Sequence, residues 1–187
     1  MVLETSSPED AALVALAKTD SAAFGALYER YVGRIYSYVY HRTGNASDAE
    51  DLTERVFLQA LTHLSGYTDR GLPFTVWLYR IAHNVVANWY RDRHRHLALP
   101  MDDARVAGEE EGEAALETVE DVALLRKAMA QLPLDRQQLL LLRFSEDLSH
   151  AEIAKIMGRT EGAVKALLHR TLRSLKEDMQ GADDAKA

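Results

Sequence analysis

Apolar side chains recur every three to four positions along most of this chain of 187 residues, and runs that alternate apolar and polar residues are short. A period of three to four is typical of amphipathic helices, whereas strands need a period of two. The pattern predicts an all-α fold. The expected helices cover residues 22–43, from about 47 past 61, 74–94, 119–131, 134–144, and a pair on either side of Gly158.

Capping residues indicate where several of these helices begin and end. The run Thr43–Asn45 contains a glycine and ends the first helix, and Ser47 is expected to cap the second. In the last pair, Ser149 and Thr160 are the expected N-caps, and Gly158 supplies the left-handed residue between them. A helix, a short glycine turn and a second helix form the helix-turn-helix geometry that enters the major groove of DNA. An ordinary helical hairpin with solvated basic residues remains the alternative.

The distribution of charge divides the chain. Net charge is −7, which by itself argues against nucleic acid, but residues 97–121 alone hold nine acidic residues and one basic residue. The segment also lacks aromatic residues and a sustained apolar period, so it predicts an acidic flexible linker. The expected organisation is a helical bundle over 1–96, a linker over 97–118, a helix-turn-helix domain over 119–180 and a tail over 181–187.

Several classes of protein are poorly supported. The chain has no cysteine, no signal-peptide pattern and no apolar run near the ~18 residues that a membrane span needs. It also lacks a phosphate-binding loop, paired catalytic carboxylates and metal-ligand spacing. We therefore expect a soluble cytoplasmic protein that is not an enzyme and has no cofactor, no metal, no small-molecule substrate and no membrane insertion.

The C-terminal stretch "LPLDRQQLLLLRFSEDLSHAEIAKIMGRTEGAVKALLHRTLRSL" resembles the promoter-reading domain of the extracytoplasmic-function (ECF) subfamily of bacterial sigma factors, within the sigma-70 family. Ala163, Ala166 and Leu167 depart from the family pattern, where Thr, Ser and Arg are usual. Arginine suits guanine acceptors and glutamate suits the cytosine amino group, so Arg159 and Glu161 are candidates for reading bases. The resemblance implies an upstream-element site formed by Arg159, Thr160, Glu161, Gly162, Ala163, Lys165, Ala166, His169 and Arg170.

The segment "DAEDLTERVFLQAL" is similar to the part of these sigma factors that binds the largest subunit of RNA polymerase. Acidic residues three apart would also suit a basic partner, although acidic residues in a first turn stabilise any helix. The resemblance implies a polymerase-binding site formed by Asp48, Asp51, Leu52, Arg55 and Phe57.

The segment "FTVWLYRIAHNVVANWYRDRHRH" resembles the part of the family that reads and opens the downstream promoter element, with Asn88 where Asp is usual. One face of this helix is apolar, and the adjacent stripe mixes a ring, amides and cations, which is the chemistry that single-stranded DNA requires. Trp77 taken alone fits a core position better than a stacking one. The implied site, with the preceding loop over 66–73, consists of Tyr67, Arg70, Trp77, Arg80, Asn84, Asn88, Arg91, Arg93 and Arg95.

The resemblance spans about residues 22–175 and implies a promoter-specificity subunit without catalytic activity. Its expected partners are core RNA polymerase, double-stranded and melted promoter DNA, and an anti-sigma factor. In the family the two promoter elements lie about two helical turns apart, or about 70 Å. A free-standing helix-turn-helix regulator, binding its site without polymerase, is the alternative. The acidic linker is also hypothesised to lie against the basic helices of the free protein and to weaken their affinity for DNA.

Overall fold

The computed structural model describes residues 8–68, 73–97 and 116–184, and within these ranges the chain is helical, with no strand. The helices are α1 (Pro8–Ala17), α2 (Ser21–Thr43), α3 (Ala46–His63), α4 (Phe74–Leu97), α5 (Leu116–Gln131), α6 (Leu134–Leu140), α7 (His150–Met157) and α8 (Glu161–Asp184). The all-α prediction is therefore confirmed. Most of the predicted linker lies outside the described residues, and α5 begins three residues before its expected start.

Helix α1 was not predicted from the sequence. Its sequence is PEDAALVALA, in which the acidic residues are confined to the first turn and the rest is apolar, so no amphipathic stripe marks the helix. The helix packs against α2, where the Asp10 carboxylate accepts hydrogen bonds from Arg30 and the Tyr31 hydroxyl. Val14 and Ala17 are buried. Contacts with α2, and not local pattern, hold this helix in place.

The corner between α2 and α3 is built by two consecutive residues. Gly44 ends α2 with a φ of 65°, and its N–H donates to the Tyr40 carbonyl oxygen over 2.8 Å. Asn45 then caps α3, because its side-chain oxygen accepts from the Asp48 N–H over 3.0 Å. The expectation that Ser47 is the cap was wrong, since Ser47 lies inside the first turn of α3.

Helices α1 to α4, called here the N-terminal unit, share a core that the apolar period of α2 predicted. Leu27, Ile35 and Val39 lie on the inner face of α2 and are buried. Between α2 and α4, the rings of Tyr38 and Tyr79 meet edge to face with centroids 5.3 Å apart. The inner face of α4 therefore packs on α2 and α3.

Helices α5 to α8, called here the C-terminal unit, contain the predicted helix-turn-helix. Ser149 and Glu152 form a reciprocal capping box at the start of α7, and Gly158 ends α7 with a φ of 64°. The Thr160 hydroxyl accepts from the Ala163 N–H over 3.2 Å and caps α8. All three capping predictions in this pair are confirmed.

The predicted helix over 134–144 is divided. Helix α6 ends at Leu140 and continues as a π-helical turn, Leu141–Ser145, in which an extra residue widens the turn. Asp147 follows with a φ of 50°, a left-handed conformation that Asp tolerates better than most residues. This distorted corner redirects the chain and brings Glu146 towards the N-terminal unit.

The two units pack directly on each other, mainly through α7 against α4. One continuous cluster of buried residues includes Leu78 and Val85 of α4 together with Leu139, Ile153 and Ile156 of the C-terminal unit. A smaller cluster joins α5, α6 and α8 within the C-terminal unit. No helix in the described part of the chain is both long enough and apolar enough to cross a membrane.

The cap at Asn45 gives a first prediction. Replacing Asn45 with Ala should destabilise the protein by about 1 kcal/mol, because the α3 N-terminus loses its side-chain acceptor. In a protein of this size that cost corresponds to a fall of about 2–4 °C in the melting temperature. Ser47→Ala is the matched control and should leave the melting temperature unchanged. A larger loss in the Ser47 variant would reverse the assignment of the cap.

Candidate nucleic-acid and partner interfaces

Helix α4 presents the predicted polar stripe on the side away from its core face. Leu78, Ala82 and Val85 are buried. On the neighbouring face the side chains occupy positions three or four apart, so they lie in one line along the helix. These residues are the half-buried Trp77 and the exposed Arg80, Asn84, Asn88 and Arg91.

A small aromatic pocket lies at the start of this stripe. Tyr67, Phe74 and Trp77 pack together, and the centroid of the Trp77 ring lies 5.0 Å from Tyr67 and 5.4 Å from Phe74. Trp77 is therefore neither a core residue nor a free platform. Beside these rings is a cavity of about 250 Å³, whose lining includes Trp77, Arg80 and Lys155 of α7. Rings next to a cation are suited to binding an unpaired base beside a phosphate.

The loop that precedes the pocket is held by the N-terminal segment. The Lys18 ammonium donates to the Tyr67 carbonyl oxygen over 2.6 Å and lies 5.9 Å from the centroid of the Tyr67 ring. Sequence reasoning did not include Lys18, because it lies 49 residues away. Arg70, another predicted contact in this loop, lies outside the described residues, as does the side chain of Arg95.

The start of α8 exposes the predicted upstream-element residues. Arg159 donates to the Asp135 carboxylate of α6 over 2.9 Å, and Lys165 pairs with Glu161 over 2.6 Å. The hydrogen bond and charge of Lys165 lower the pKa of Glu161, so this side chain is ionised at neutral pH. The remaining residues of the predicted site are also exposed: Thr160, Gly162, Ala163, Ala166, His169 and Arg170.

Leu167 explains one departure from the family pattern. The residue is only 5% exposed and belongs to the main hydrophobic cluster. A leucine at this position therefore packs inside the protein, where an arginine would have to reach out to a phosphate. Ala163 and Ala166 are instead on the surface, so their small side chains reduce the contacts available there.

Two residues assigned to different partners pair with each other. Arg93, predicted to contact DNA, lies 3.3 Å from the carboxylate of Asp48, predicted to contact polymerase. The guanidinium of Arg93 also lies 5.0 Å from the centroid of the Trp89 ring. Asp48 is thus an internal partner in this conformation. Arg91 likewise donates to the Asn88 side chain on the same helix.

The predicted polymerase-binding residues on α3 fall into two groups. Asp51 and Arg55 are exposed, whereas Leu52 is 1% exposed and Phe57 is largely buried. The Leu52 side chain therefore cannot contact a partner in this conformation, and the expectation that it does is not supported. Because leucine and phenylalanine at these positions continue the apolar face of α3, their packing role was readable from the same period.

An apolar groove between α2 and α3 lies beside Phe57. It has a volume of about 560 Å³, and the Tyr28 ring meets the Phe57 ring at 4.8 Å along its wall. Leu58 is 61% exposed, and Leu61 is also exposed, although both are large and apolar. Glu50 and Glu54 add carboxylates to the lining. The sequence analysis did not predict this groove. The sequence feature that indicates it is the presence of large apolar residues, Leu58 and Leu61, outside the buried face of α3.

A buried polar cluster joins the two units around Gln138 of α6, which is 1% exposed. Its amide nitrogen donates to the Tyr38 hydroxyl over 2.7 Å and lies 2.8 Å from His83 Nδ1. Its amide oxygen accepts from the Arg42 guanidinium. Burial raises the pKa of Tyr38 to about 12, so the hydroxyl is protonated at neutral pH. Burial and Arg42 lower the pKa of His83, which keeps the imidazole neutral.

A second polar contact between the units joins α2 to the distorted corner after α6. Arg34 donates twice to one Glu146 carboxylate oxygen, from Nε over 2.9 Å and from Nη2 over 2.6 Å. The Glu146 side chain is 8% exposed. Burial and the nearby Glu146 carboxylate also raise the pKa of Tyr79 far above its usual value. Neither contact between the units was predicted.

The chain thus combines a helix-turn-helix with a second helix that carries an aromatic and cationic stripe. These two features are typical of an all-α DNA-binding protein that acts in transcription. Comparison with family models is more specific. The Sigma-70 region 2 model matches residues 27–96, and the Sigma-70, region 4 model matches residues 123–175. The chain belongs to the sigma-70 family of RNA polymerase sigma factors.

Individual relatives agree with this assignment. The chain is 37% identical to the ECF RNA polymerase sigma factor BldN of Streptomyces coelicolor, over 89% of this chain and 63% of that protein. It is 30% identical to the RNA polymerase sigma factor YlaC of Bacillus subtilis, over 82% of this chain and 90% of that protein. The chain thus spans less than two thirds of the Streptomyces relative and most of the Bacillus one.

Two solved structures share the fold. One is CnrH in complex with the cytosolic domain of CnrY, with a TM-score of 0.64 and 20% identity over 94% of this chain and 97% of that chain. The other is the sigma factor RpoE of Bartonella quintana in complex with the anti-sigma factor NepR. Its TM-score is 0.67, with 19% identity over 84% of this chain and 96% of that chain. At these identities the likeness shows the fold.

The buried imidazole gives a prediction about pH. Because the pKa of His83 is lowered in the folded protein, the unfolded chain binds a proton first as the pH falls. The stability associated with neutral His83 is complete above the ordinary pKa of about 6.5 and declines as the pH drops below it. His83→Asn places an amide oxygen near the position of Nδ1 without a titrating group. Thermal melts from pH 7.5 to 5.5 should fall more steeply for the natural protein than for this variant, and parallel curves would contradict the prediction.

Proposed function

We propose that this chain binds core RNA polymerase and directs it to promoters that carry two separate elements, without catalysing a reaction itself. The observation that carries the proposal is the order of two sigma-70 regions on one chain, each placing its predicted DNA-reading side chains on an exposed helix surface. We also infer that it acts in the cytoplasm, where polymerase and promoter DNA are found.

The groove between α2 and α3 is the proposed polymerase-binding surface. An exposed apolar patch of this kind marks a partner site on most soluble proteins. Leu58 and Leu61 supply apolar contact area, while Glu50 and Glu54 add negative charge to the lining. The matching partner is a basic amphipathic helix, whose apolar side would enter the groove. Such a surface extends the predicted set of residues beyond Asp51 and Arg55.

The α4 stripe is the proposed reader of the downstream element. Opening a base pair costs a few kcal/mol of stacking, so the exposed base must gain new contacts. The aromatic pocket at Trp77 and Tyr67 offers stacking, and Arg80 offers a cation for the adjoining phosphate. Asn84 and Asn88 lie further along the same line and can reach base edges.

The start of α8 is the proposed reader of the upstream element. Its first turn is exposed, and α7 and the Gly158 turn fix its direction. Arg159 is held by Asp135 in the free protein, so binding to a guanine must exchange one acceptor for another. Lys165, His169 and Arg170 follow along the helix and would contact phosphates.

An inhibitory partner is part of the proposal. RpoE of Bartonella quintana was solved with the anti-sigma factor NepR, and it shares this fold. We infer that an anti-sigma factor also binds this chain.

The groove gives a prediction about polymerase binding. Leu58→Asp should weaken binding to core polymerase about tenfold or more, because it places a charge in an apolar contact. The residue is exposed, so the melting temperature should change little. Gln59→Asp adds the same charge to an exposed neighbour outside the groove and is the matched control. Equal affinities for both variants, measured by fluorescence anisotropy of labelled protein, would remove the groove from the proposal.

The two readers give a prediction about promoter choice. In transcription assays with core polymerase and a promoter library, Asn84→Ala should relax preference at the downstream element, and Arg159→Ala at the upstream one. Each lost base contact should reduce discrimination by about 1–3 kcal/mol at its own position. A uniform loss of activity across all promoters would show that these residues do not read bases. Tight, specific DNA binding without polymerase would favour a free-standing helix-turn-helix regulator instead.

A further inference from the structure

A cavity between the end of α2 and the C-terminal unit belongs to none of the proposed DNA or polymerase sites. It has a volume of about 530 Å³, within the range of roughly 300–1,000 Å³ that small-molecule sites occupy. We propose that this cavity binds a carboxylate with an apolar chain, such as a medium-chain fatty acid. The site is separate from the proposed function, because its test needs neither polymerase nor DNA.

The wall of the cavity is largely apolar and only partly covered. Leu125 of α5, Phe144 of the π-helical turn and Leu172 of α8 contribute to it. Phe144 is 64% exposed and Leu172 is 42% exposed. Large apolar side chains that share one exposed surface mark a site for an apolar ligand, because hydrating them is unfavourable. An alkyl chain in the cavity would remove part of this surface from water.

The distorted corner after α6 contributes Phe144 to this wall. The π-helical turn covers Leu141–Ser145, and Leu141, Phe144 and Ser145 all line the cavity. The extra residue in such a turn changes the direction of the side chains that follow it, and π-helical turns are frequent at functional sites. The irregular backbone is therefore part of the proposed site.

The charge of the lining favours an anion. Among the described residues that line the cavity, Arg42 and Arg126 are cations and none is an aspartate or a glutamate. The whole chain has 29 acidic residues and a net charge of −7, so a wall without carboxylates departs from its composition. A negatively charged group in the cavity would meet guanidinium groups and no carboxylate of the described lining.

Arg42 provides the polar end of the site. The residue is only 6% exposed, and its Nη1 donates to the Gln138 amide oxygen. Its Nε is buried without a hydrogen-bond partner, and no carboxylate of the described residues forms an ion pair with it. A buried cation that lacks a carboxylate is strongly unfavourable. The carboxylate of a ligand would supply the opposite charge and an acceptor for Nε.

The two ends of the cavity together define the ligand class. A neutral alkane would cover the apolar wall but would leave Arg42 without a counter-charge. A small anion such as acetate would pair with Arg42 but would leave Phe144 and Leu172 in water. A molecule with a carboxylate at one end of an alkyl chain meets both requirements.

Calorimetric titration of the full chain with decanoate, at concentrations too low for micelles, tests the proposal. Decanoate should bind with one-to-one stoichiometry. Octanoate is two methylenes shorter and should bind about 15-fold more weakly, because each buried methylene changes affinity about fourfold. The alcohol 1-decanol has the same chain without the charge and should bind about tenfold more weakly. Absence of decanoate binding, or equal affinities for decanoate and 1-decanol, would overturn the proposal.

Two matched leucine substitutions locate the site. Leu172→Gln should weaken decanoate binding about tenfold, because it places an amide in the apolar wall. Leu16→Gln makes the same change on α1, at a leucine that is 59% exposed and lies outside the lining, and should leave the affinity unchanged. If both variants bind decanoate as the natural protein does, the ligand does not occupy this cavity and the assignment fails.

Substitutions at Arg42 test the polar end. Arg42→Met should abolish the preference for decanoate over 1-decanol, and Arg42→Lys, which keeps a cation, should retain part of it. Cooperative thermal melts establish which of these variants fold. Because Arg42 is buried, the comparison of the two ligands on the natural protein decides the charge requirement if neither variant folds. An undiminished preference for decanoate in folded Arg42→Met would refute the role of Arg42.

Discussion

The arrangement of the whole molecule depends on one buried amide. Gln138 lies between α2 and α4 and can be removed from water only because Tyr38, Arg42 and His83 meet its donor and acceptor groups. Apolar packing between α4 and α7 stabilises their contact but does not fix their relative orientation, because the hydrophobic effect is non-directional. Hydrogen bonds to a buried side chain require specific distances and angles. The polar cluster therefore determines how the two units sit on each other.

Helix α4 has two faces with different roles. Its buried face holds the N-terminal unit together, and its exposed stripe carries the side chains proposed to read DNA. Helix α7 packs against the same helix, beside Trp77 and Arg80. The exposed stripe of α4 therefore begins at the place where the two units meet.

Ion pairs within the protein also involve side chains that are proposed to contact DNA. Arg159 pairs with Asp135, and Arg93 pairs with Asp48. Each cation must therefore leave an internal carboxylate before it can bind a phosphate. Exposed pairs of this kind contribute roughly 0–1 kcal/mol, which a polyanion can readily replace. They position the guanidinium groups without preventing their use.

Local pattern was enough to predict much of this protein. The apolar period gave the all-α class and the buried face of α2, and Gly44, Ser149 and Gly158 gave helix ends that the structure confirms. The stripe on α4 and the exposed start of α8 also follow from spacing alone. Each of these features depends on residues within four positions of one another, which is the range that a helical period reports.

Only the tertiary structure decided the rest, because those features depend on residues far apart in the chain. Gln138 and Tyr38 are 100 positions apart, and Arg34 and Glu146 are 112 positions apart. Burial of Leu167 likewise depends on which neighbours cover it. A sequence period states that a face is apolar, but long-range packing determines what covers that face and which polar groups are enclosed with it.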